Sequence, residues 1–396
     1  MKETNLDFDE YIERRNTDCL KYDFAVRRGK PADVLPLWVA DMDFRAPSTV
    51  LTKIKERVDH GIFGYTEPRD DYYNTVIDWF KRHHDLTVER SQIFTTPGIV
   101  YAIALAIRAF SKEGEAVLIQ QPVYYPFSEL VRDNNRKLVS NDLYLGKDGK
   151  YHIDFEDFEK KIKENHVKLF VLCSPHNPVG RVWNYEELER IIDICYENQV
   201  IIFSDEIHCD FTFSNNKHIS LYNVNEKAKE IGIVATSPAK TFNLAGLQIS
   251  NIFVANNDLR YKLRKEKAAS GYSQPNTIGA TACVAAYKYG EEWYEALLDY
   301  LDANLEFVRN YLEENLPQVK LIEPEGTYLI WLDFRELNLC VKDLEDLIVN
   351  KAKLWLDSGE IFGKIGEGFQ RINIATNRAI LKEALERIRK AVKELE

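Results

Sequence analysis

Three short apolar runs, each ending in the same polar manner, constrain this chain more than any other feature. Phe170-Val171-Leu172-Cys173 runs into Ser174-Pro175-His176-Asn177-Pro178. Ile201-Ile202-Phe203 runs into Ser204-Asp205-Glu206, and Ile233-Val234-Ala235-Thr236 runs into Ser237-Pro238-Ala239-Lys240. With these, segments 116–120, 168–173, 200–204, 232–236 and 251–255 read as strands buried on both faces, the pattern of a parallel sheet. Helix-period stretches lie between them. Asn184-Tyr185-Glu186-Glu187 resembles a capping box ahead of 188–198, and Ile153, Phe155, Phe158 and Ile162 form an apolar stripe through 154–165. Strands alternating with helices predict an α/β fold around a mostly parallel sheet.

From about residue 290 the rhythm changes. A long amphipathic helix over 291–315 is followed by a strand at 327–333, a helix near 341–353, a strand at 371–375 and a closing helix at 379–395. This reads as a smaller α+β unit. The division expected is 1–47 as an arm and part of the small domain, 48–288 as the large domain, and 289–396 as the small domain.

Composition narrows the function. The 396 residues carry 52 Lys and Arg against 63 Asp and Glu, a net charge of −11, which repels phosphate backbones and argues against nucleic-acid binding. No apolar run approaches the roughly 18 residues a membrane span needs. The first fifteen residues lack the apolar stretch of a secretory leader. The six cysteines are scattered without a C-x-x-C pair, which suits free thiols in a reducing cytoplasm. His208, Cys209 and His218 have poor spacing for a metal, so no metal is expected, and His83-His84 reads as a solvated helix end.

In open α/β sheets ligands bind beyond the carboxyl ends of the strands, so Asn177, Asp205 and Lys240 are expected to converge. Lys240 lies in a compact apolar stretch, Thr241-Phe242-Asn243-Leu244-Ala245-Gly246, where lost solvation lowers an amine's pKa and frees it to form a Schiff base. A solvated loop lysine is the plainer alternative. Asp205 follows an apolar run, so it should be partly buried and in need of a cationic partner. Ser237, three residues before Lys240, is placed to touch a phosphate. Thr96-Pro97-Gly98-Ile99-Val100-Tyr101 precedes an apolar helix over 102–110, and a glycine turn at a helix start presents free amides to an anion. The glycines of 363–368 precede a strand rather than follow one, so they are not a dinucleotide fingerprint.

Together these segments resemble the fold-type I pyridoxal-phosphate enzymes of the class I/II aminotransferase superfamily, in their cystathionine β-lyase (cysteine-S-conjugate β-lyase) branch. The likeness rests on Pro36-Leu37-Trp38-Val39-Ala40-Asp41-Met42-Asp43-Phe44, Phe63-Gly64-Tyr65-Thr66 and Gln121-Pro122-Val123-Tyr124. It continues through 174–181, 204–210, Ser237-Pro238-Ala239-Lys240-Thr241-Phe242-Asn243 and Arg371-Ile372-Asn373. The resemblance implies a three-layer large domain plus the smaller one, and pyridoxal 5'-phosphate as cofactor. It implies that Lys240 carries the coenzyme, Asp205 pairs with the ring nitrogen, Asn177 bonds the ring hydroxyl and Tyr124 stacks on the ring. Gly98, Ile99, Val100 and Ser237 serve the phosphate, joined by Tyr65 from the neighbouring subunit of a homodimer. Arg371, with Asn177 and Ala40 beside it, meets the substrate.

Two departures from the aminotransferase pattern matter. His208 stands where many aminotransferases have a tyrosine on the ring oxygen, and Gln248 where they have an arginine on the phosphate. Both recur in the lyase branch, so His208 is counted with the cofactor residues. The reaction implied is α,β-elimination on L-cystathionine or a related cysteine S-conjugate, giving pyruvate, ammonia and a thiol. An aminotransferase acting on an L-amino acid is the alternative, as is a lyase that also regulates a transcription factor.

Overall fold

The computed structural model describes residues 3–4, 6–213 and 215–395. Seven strands form the main sheet: β1 (Ile93–Thr96), β2 (Ala116–Ile119), β3 (Lys137–Ser140), β4 (Leu169–Cys173), β5 (Ile201–Asp205), β6 (Gly232–Thr236) and β7 (Ser250–Phe253). Their order is β1-β7-β6-β5-β4-β2-β3. From β6 to β3 every pairing is parallel, whereas β7 runs antiparallel to both β6 and β1. The run at 251–255 was expected in a parallel arrangement, and its orientation corrects that expectation. A wholly buried strand carries the same apolar signature in either direction, so composition could not reveal the reversal.

The expected helices form with short boundary shifts. α1 (Ile99–Phe110) buries Ile99, Ile103 and Ile107 against the sheet. α2 (Phe155–Asn165) is capped by the Asp154 carboxylate, which accepts the Asp157 amide. α3 (Tyr185–Glu197) starts with the capping box read from the sequence, Asn184 and Glu187 satisfying each other's amides. Helices thus cover both faces of the sheet, and two buried clusters lie on its opposite sides. The expected α/β architecture is present.

A second sheet of four antiparallel strands follows α4 (Glu291–Asn315). It comprises β8 (Lys320–Ile322), β9 (Leu329–Asp333), β10 (Asp357–Ser358) and β11 (Phe369–Asn373), in the order β8-β9-β11-β10. The helix expected near 341–353 is shorter, Val341–Asp346, and passes into a π turn at Leu347–Lys351. The closing helix is α5 (Arg378–Lys393). The N-terminal stretch reaches this part of the molecule: Leu35–Pro36 pairs in parallel with Leu354–Trp355, and Phe8 packs on Trp293 and Tyr300.

That stretch also carries a buried ionic clasp. Lys21 is fully buried, with Nζ 2.8 Å from Asp43 Oδ2, while Arg14 reaches Asp43 Oδ1 and Asp41 Oδ2 at 2.7 Å each. The segment between Trp38 and Phe44 is thereby fixed, and it runs past the carboxyl ends of the main strands.

Candidate active site

Beyond those strand ends lies a cavity lined by residues from the main strands, the start of α1 and the 38–44 segment. Ala40, Gly98, Ile99, Val100, Tyr124, Asn177, Asp205, His208, Ser237 and Lys240 all border it, and so does Gln248. Arg371 stands behind Asn177, whose Oδ1 accepts from Arg371 Nη1 at 3.0 Å. Tyr65 stands apart, 98% exposed in a stretch without regular structure.

Lys240 sits on a four-residue helix, Pro238–Thr241, that begins where β6 ends. Ser237 caps it: its hydroxyl accepts the Ala239 amide at 3.1 Å and donates to Ile249 O at 2.7 Å. A phosphate contact through that hydroxyl proton therefore needs the hydroxyl to turn. On the far side Thr241 donates to Asp210, which also takes Trp79 Nε1 at 3.2 Å and lies 2.7 Å from His84 Nε2. His84 is thus buried, not solvated. The reading of His83-His84 as a solvated end fails for His84 because Asp210 supplies a partner inside.

The Lys240 amine donates to Ala40 O at 2.6 Å. Burial lowers its pKa to about 8, aided by the Arg371 charge and opposed by Asp41 and Asp205. Asp205 moves the other way. Burial lifts it to about 7, although the Ile207 amide, 3.1 Å from Oδ1, and the Lys240 charge both favour its ionised form. Burial, with Lys240 and Arg371 nearby, drives His208 well below the usual imidazole range. Its Nδ1 is buried without a hydrogen-bond partner among the described residues. A site with a destabilised ammonium, a destabilised carboxylate and an orphaned ring nitrogen lacks the polar ligand that would satisfy it.

The start of α1 offers the complementary charge. No side chain among the described residues caps it, and beyond its chain neighbours a Cβ placed on Gly98 would meet nothing within 4 Å. The amides of Ile99 and Val100 therefore face open space at the positive end of a helix, as an anion requires. Tyr124 is anchored through its own amide to Asn177 O at 3.0 Å, and its phenol is raised by burial, so its ring stays neutral.

Several residues here escaped the sequence reading. Tyr328 donates its hydroxyl to Ala40 O at 2.9 Å, sharing that acceptor with Lys240. Asn373 Nδ2 holds Val39 O and Asp41 O at 2.7 Å each, and Asn243 Nδ2 holds Met42 O and Phe44 O at 3.0 and 2.8 Å. Asp357 pairs with Arg371 across the β10–β11 ladder. Asn243 and Asn373 belong to the motifs that carry the family resemblance, but only the fold shows that both strap the 38–44 segment. Tyr328 and Asp357 gave no signal, because each acts through a partner far away in sequence.

An anion-ready helix start, a desolvated lysine and a buried acid, gathered at the carboxyl edge of a doubly covered sheet, define an α/β enzyme of the Schiff-base-forming kind. The chain belongs to the aminotransferase class I and II family, whose profile matches residues 32–388. It is 39% identical over 387 residues to cystathionine beta-lyase PatB of Bacillus subtilis, covering 98% of this chain and all of that protein. It is 31% identical to protein MalY of Escherichia coli, covering 96% of this chain and 97% of that one. The crystal structure of cystalysin from Treponema denticola, which contains a pyridoxal 5'-phosphate cofactor, superposes with a TM-score of 0.95 at 38% identity, covering 98% of this chain and 99% of that one.

Proposed function

We propose that the chain is a pyridoxal 5'-phosphate-dependent carbon–sulfur β-lyase, splitting L-cystathionine or a related cysteine S-conjugate into pyruvate, ammonia and a thiol. The observation that carries this is the desolvated Lys240 amine sharing one cavity with the destabilised Asp205 acid, in a chain related end to end to cystathionine β-lyase.

The residues fit the coenzyme. Lys240 would hold its aldehyde carbon, Asp205 its ring nitrogen, Asn177 its ring hydroxyl and Tyr124 a ring face. The Gly98, Ile99 and Val100 amides, with Ser237, would hold the phosphate. The orphaned His208 Nδ1 supports a polar occupant beside it. When bound, the coenzyme supplies an electron sink for the negative charge left at the substrate α-carbon.

The protein's own part follows from the geometry. Arg371, steadied by Asn177 Oδ1, orients the substrate α-carboxylate. Lys240 Nζ would take the α-proton as general base, a role helped by the burial that already disfavours its charged form. Asp205 would be ionised by a cationic ring nitrogen facing it and would hold a proton there. With the α-proton gone, the β-thiolate departs, and water completes the release of pyruvate and ammonia. His208 in place of a phenol and Gln248 in place of a cation favour elimination over transamination in this reading.

The same reading makes the active unit a cytoplasmic homodimer. The dimer is supported by the exposed stretch of Ile62, Phe63 and Tyr65; in it Tyr65 would reach the phosphate of the neighbouring subunit. Residues 48–288 then form the coenzyme-binding domain, and 289–396 with the 1–47 arm form the small domain that carries Arg371.

Incubation of the coenzyme-loaded protein with L-cystathionine alone should release pyruvate and free thiol in equal amounts. Neither product appearing refutes the lyase reading. Turnover that demands a 2-oxo acid and yields no pyruvate makes it an aminotransferase.

A further inference from the structure

Arg371 is not free to meet a substrate. Its Nη1 donates to Asn177 Oδ1 at 3.0 Å, and its Nη2 donates to Trp38 O at 2.7 Å and to Asp357 Oδ2. Its Nε is buried without a partner among the described residues. Asp357 stands directly across the ladder on β10, and both side chains are almost wholly buried. The guanidinium also lies over the Phe362 ring, 4.9 Å from its centre. The cation expected to clamp an α-carboxylate thus already holds a carboxylate of this chain.

Two carboxylates on one buried guanidinium repel each other, and the low dielectric magnifies the repulsion. We propose that Asp357 is a resident counter-carboxylate that occupies Arg371 in the resting site and takes up a proton from solvent when the substrate's α-carboxylate docks. The inference rests on Arg371 being the α-carboxylate site of the proposed lyase. Proton uptake leaves Arg371 facing one negative charge, as before, while protonated Asp357 remains a neutral hydrogen-bonding neighbour.

The surroundings make Asp357 the group that yields. Burial lifts its pKa to about 6, opposed by Arg371 and Lys30 and reinforced by Glu345. Lys30, from the N-terminal stretch, is itself ion-paired with Glu345 on the Val341–Asp346 helix, so it does not fully neutralise Asp357. The other titratable groups facing it, Tyr124 and Tyr125, are phenols held neutral by burial. An added anion on Arg371 pushes Asp357 further toward its protonated form. Carboxylate binding is therefore tightest below pH 6 and weakens as pH rises from about 6 to 8, because above pH 6 the proton must first be gathered.

The test uses the coenzyme-loaded protein and propionate, a carboxylate with no amine to react with the coenzyme. Calorimetric titration at pH 7 in two buffers of different ionisation heat counts the protons bound per propionate. Wild-type protein should take up a substantial fraction of a proton, and its affinity should fall about fivefold to tenfold between pH 6 and 8. Asp357→Asn should remove the uptake, flatten that profile and tighten propionate at pH 8; Asp357→Ser serves if the amide variant does not fold. Absence of uptake in the wild type, or uptake that survives the substitution, overturns the proposal. A loss of Asp357's supporting role alone would weaken propionate at every pH and leave the slope intact, which also overturns it. If Arg371→Gln leaves propionate binding unchanged, the assignment of Arg371 itself is wrong, an outcome separate from failure of the Asp357 proposal.

Discussion

Two buried aspartates frame the molecule. Asp43, in the N-terminal clasp, and Asp205, at the end of β5, are both almost completely removed from water. Burial alone would raise both. At Asp43 the charges and hydrogen bonds of Lys21 and Arg14 outweigh it and hold the carboxylate below the ordinary range. At Asp205 one backbone amide and a more distant lysine do not, and the acid rises to about 7. Equal burial thus yields a paired charge that fastens a loop in one place and an unpaired acid awaiting a ligand in the other. Burial marks neither as functional; the missing cation does.

Removing the reactive amine gives the largest effect. Lys240→Ala should cut pyruvate release by roughly 10³- to 10⁴-fold while leaving the urea midpoint nearly unchanged, since it deletes a group the fold carries at a cost. Residual turnover within tenfold of wild type would sink the catalytic assignment.

The clasp should respond in the opposite sense. Asp43→Ala leaves the buried Lys21 without its close carboxylate, Asp41 standing 3.8 Å away, while Arg14 keeps Asp41, and should destabilise the fold by about 3 kcal/mol in urea titration. Turnover per folded molecule should change far less than in the Lys240 variant. A small stability loss would show that water reaches the clasp and that the contrast is overdrawn.

Acid and alkali should separate the two aspartates in the coenzyme-free protein. Asp205 is raised, so between about pH 4 and 7 the unfolded chain loses its proton while the folded one keeps it. Stability falls across that window by up to about 4 kcal/mol and levels off above pH 7. Asp43 is lowered, so its contribution is complete above the ordinary carboxylate pKa and disappears as pH drops through and below that value. Asp205→Asn should remove the part of this fall that Asp205 contributes, leave the part below about pH 6 that belongs to the raised Asp357, and spare the acid limb. Loaded with coenzyme, the wild-type protein should lose the same Asp205 part of the fall.

Tyr65→Phe should give the smallest effect, a loss of coenzyme affinity of about tenfold, the scale of one hydrogen bond to a charged group. Gel filtration should place wild type and variant alike at the size of a dimer. A monomeric, fully active protein would remove Tyr65 from the site.

Much of this contrast was legible before any coordinates. The strand-end positions of Asn177, Asp205 and Lys240 follow from apolar runs that stop abruptly, and the sheet gathers all three at one cavity. The capping box at Asn184 and Glu187 is local chemistry, so it could be read locally. Relations between distant segments stayed hidden. β1 and β3, reading Ile-Phe-Thr-Thr and Lys-Leu-Val-Ser, are half polar and lack the continuous apolar run of the other strands, the reversal of β7 leaves no mark on composition, and Lys21 looked like one more charge in a polar arm until Asp43 closed over it. His84 and Asp357 were concealed for the same reason: each is explained by a partner more than ten residues away.

The acceptor shared by Lys240 and Tyr328 is the carbonyl of Ala40, a main-chain atom. No amino-acid replacement at position 40 can delete it. The side chain there can be enlarged or shrunk to reshape the wall of the cavity while the amine keeps its resting place. Drift and laboratory evolution alike thus have a dial for substrate size that is mechanically decoupled from the reacting nitrogen.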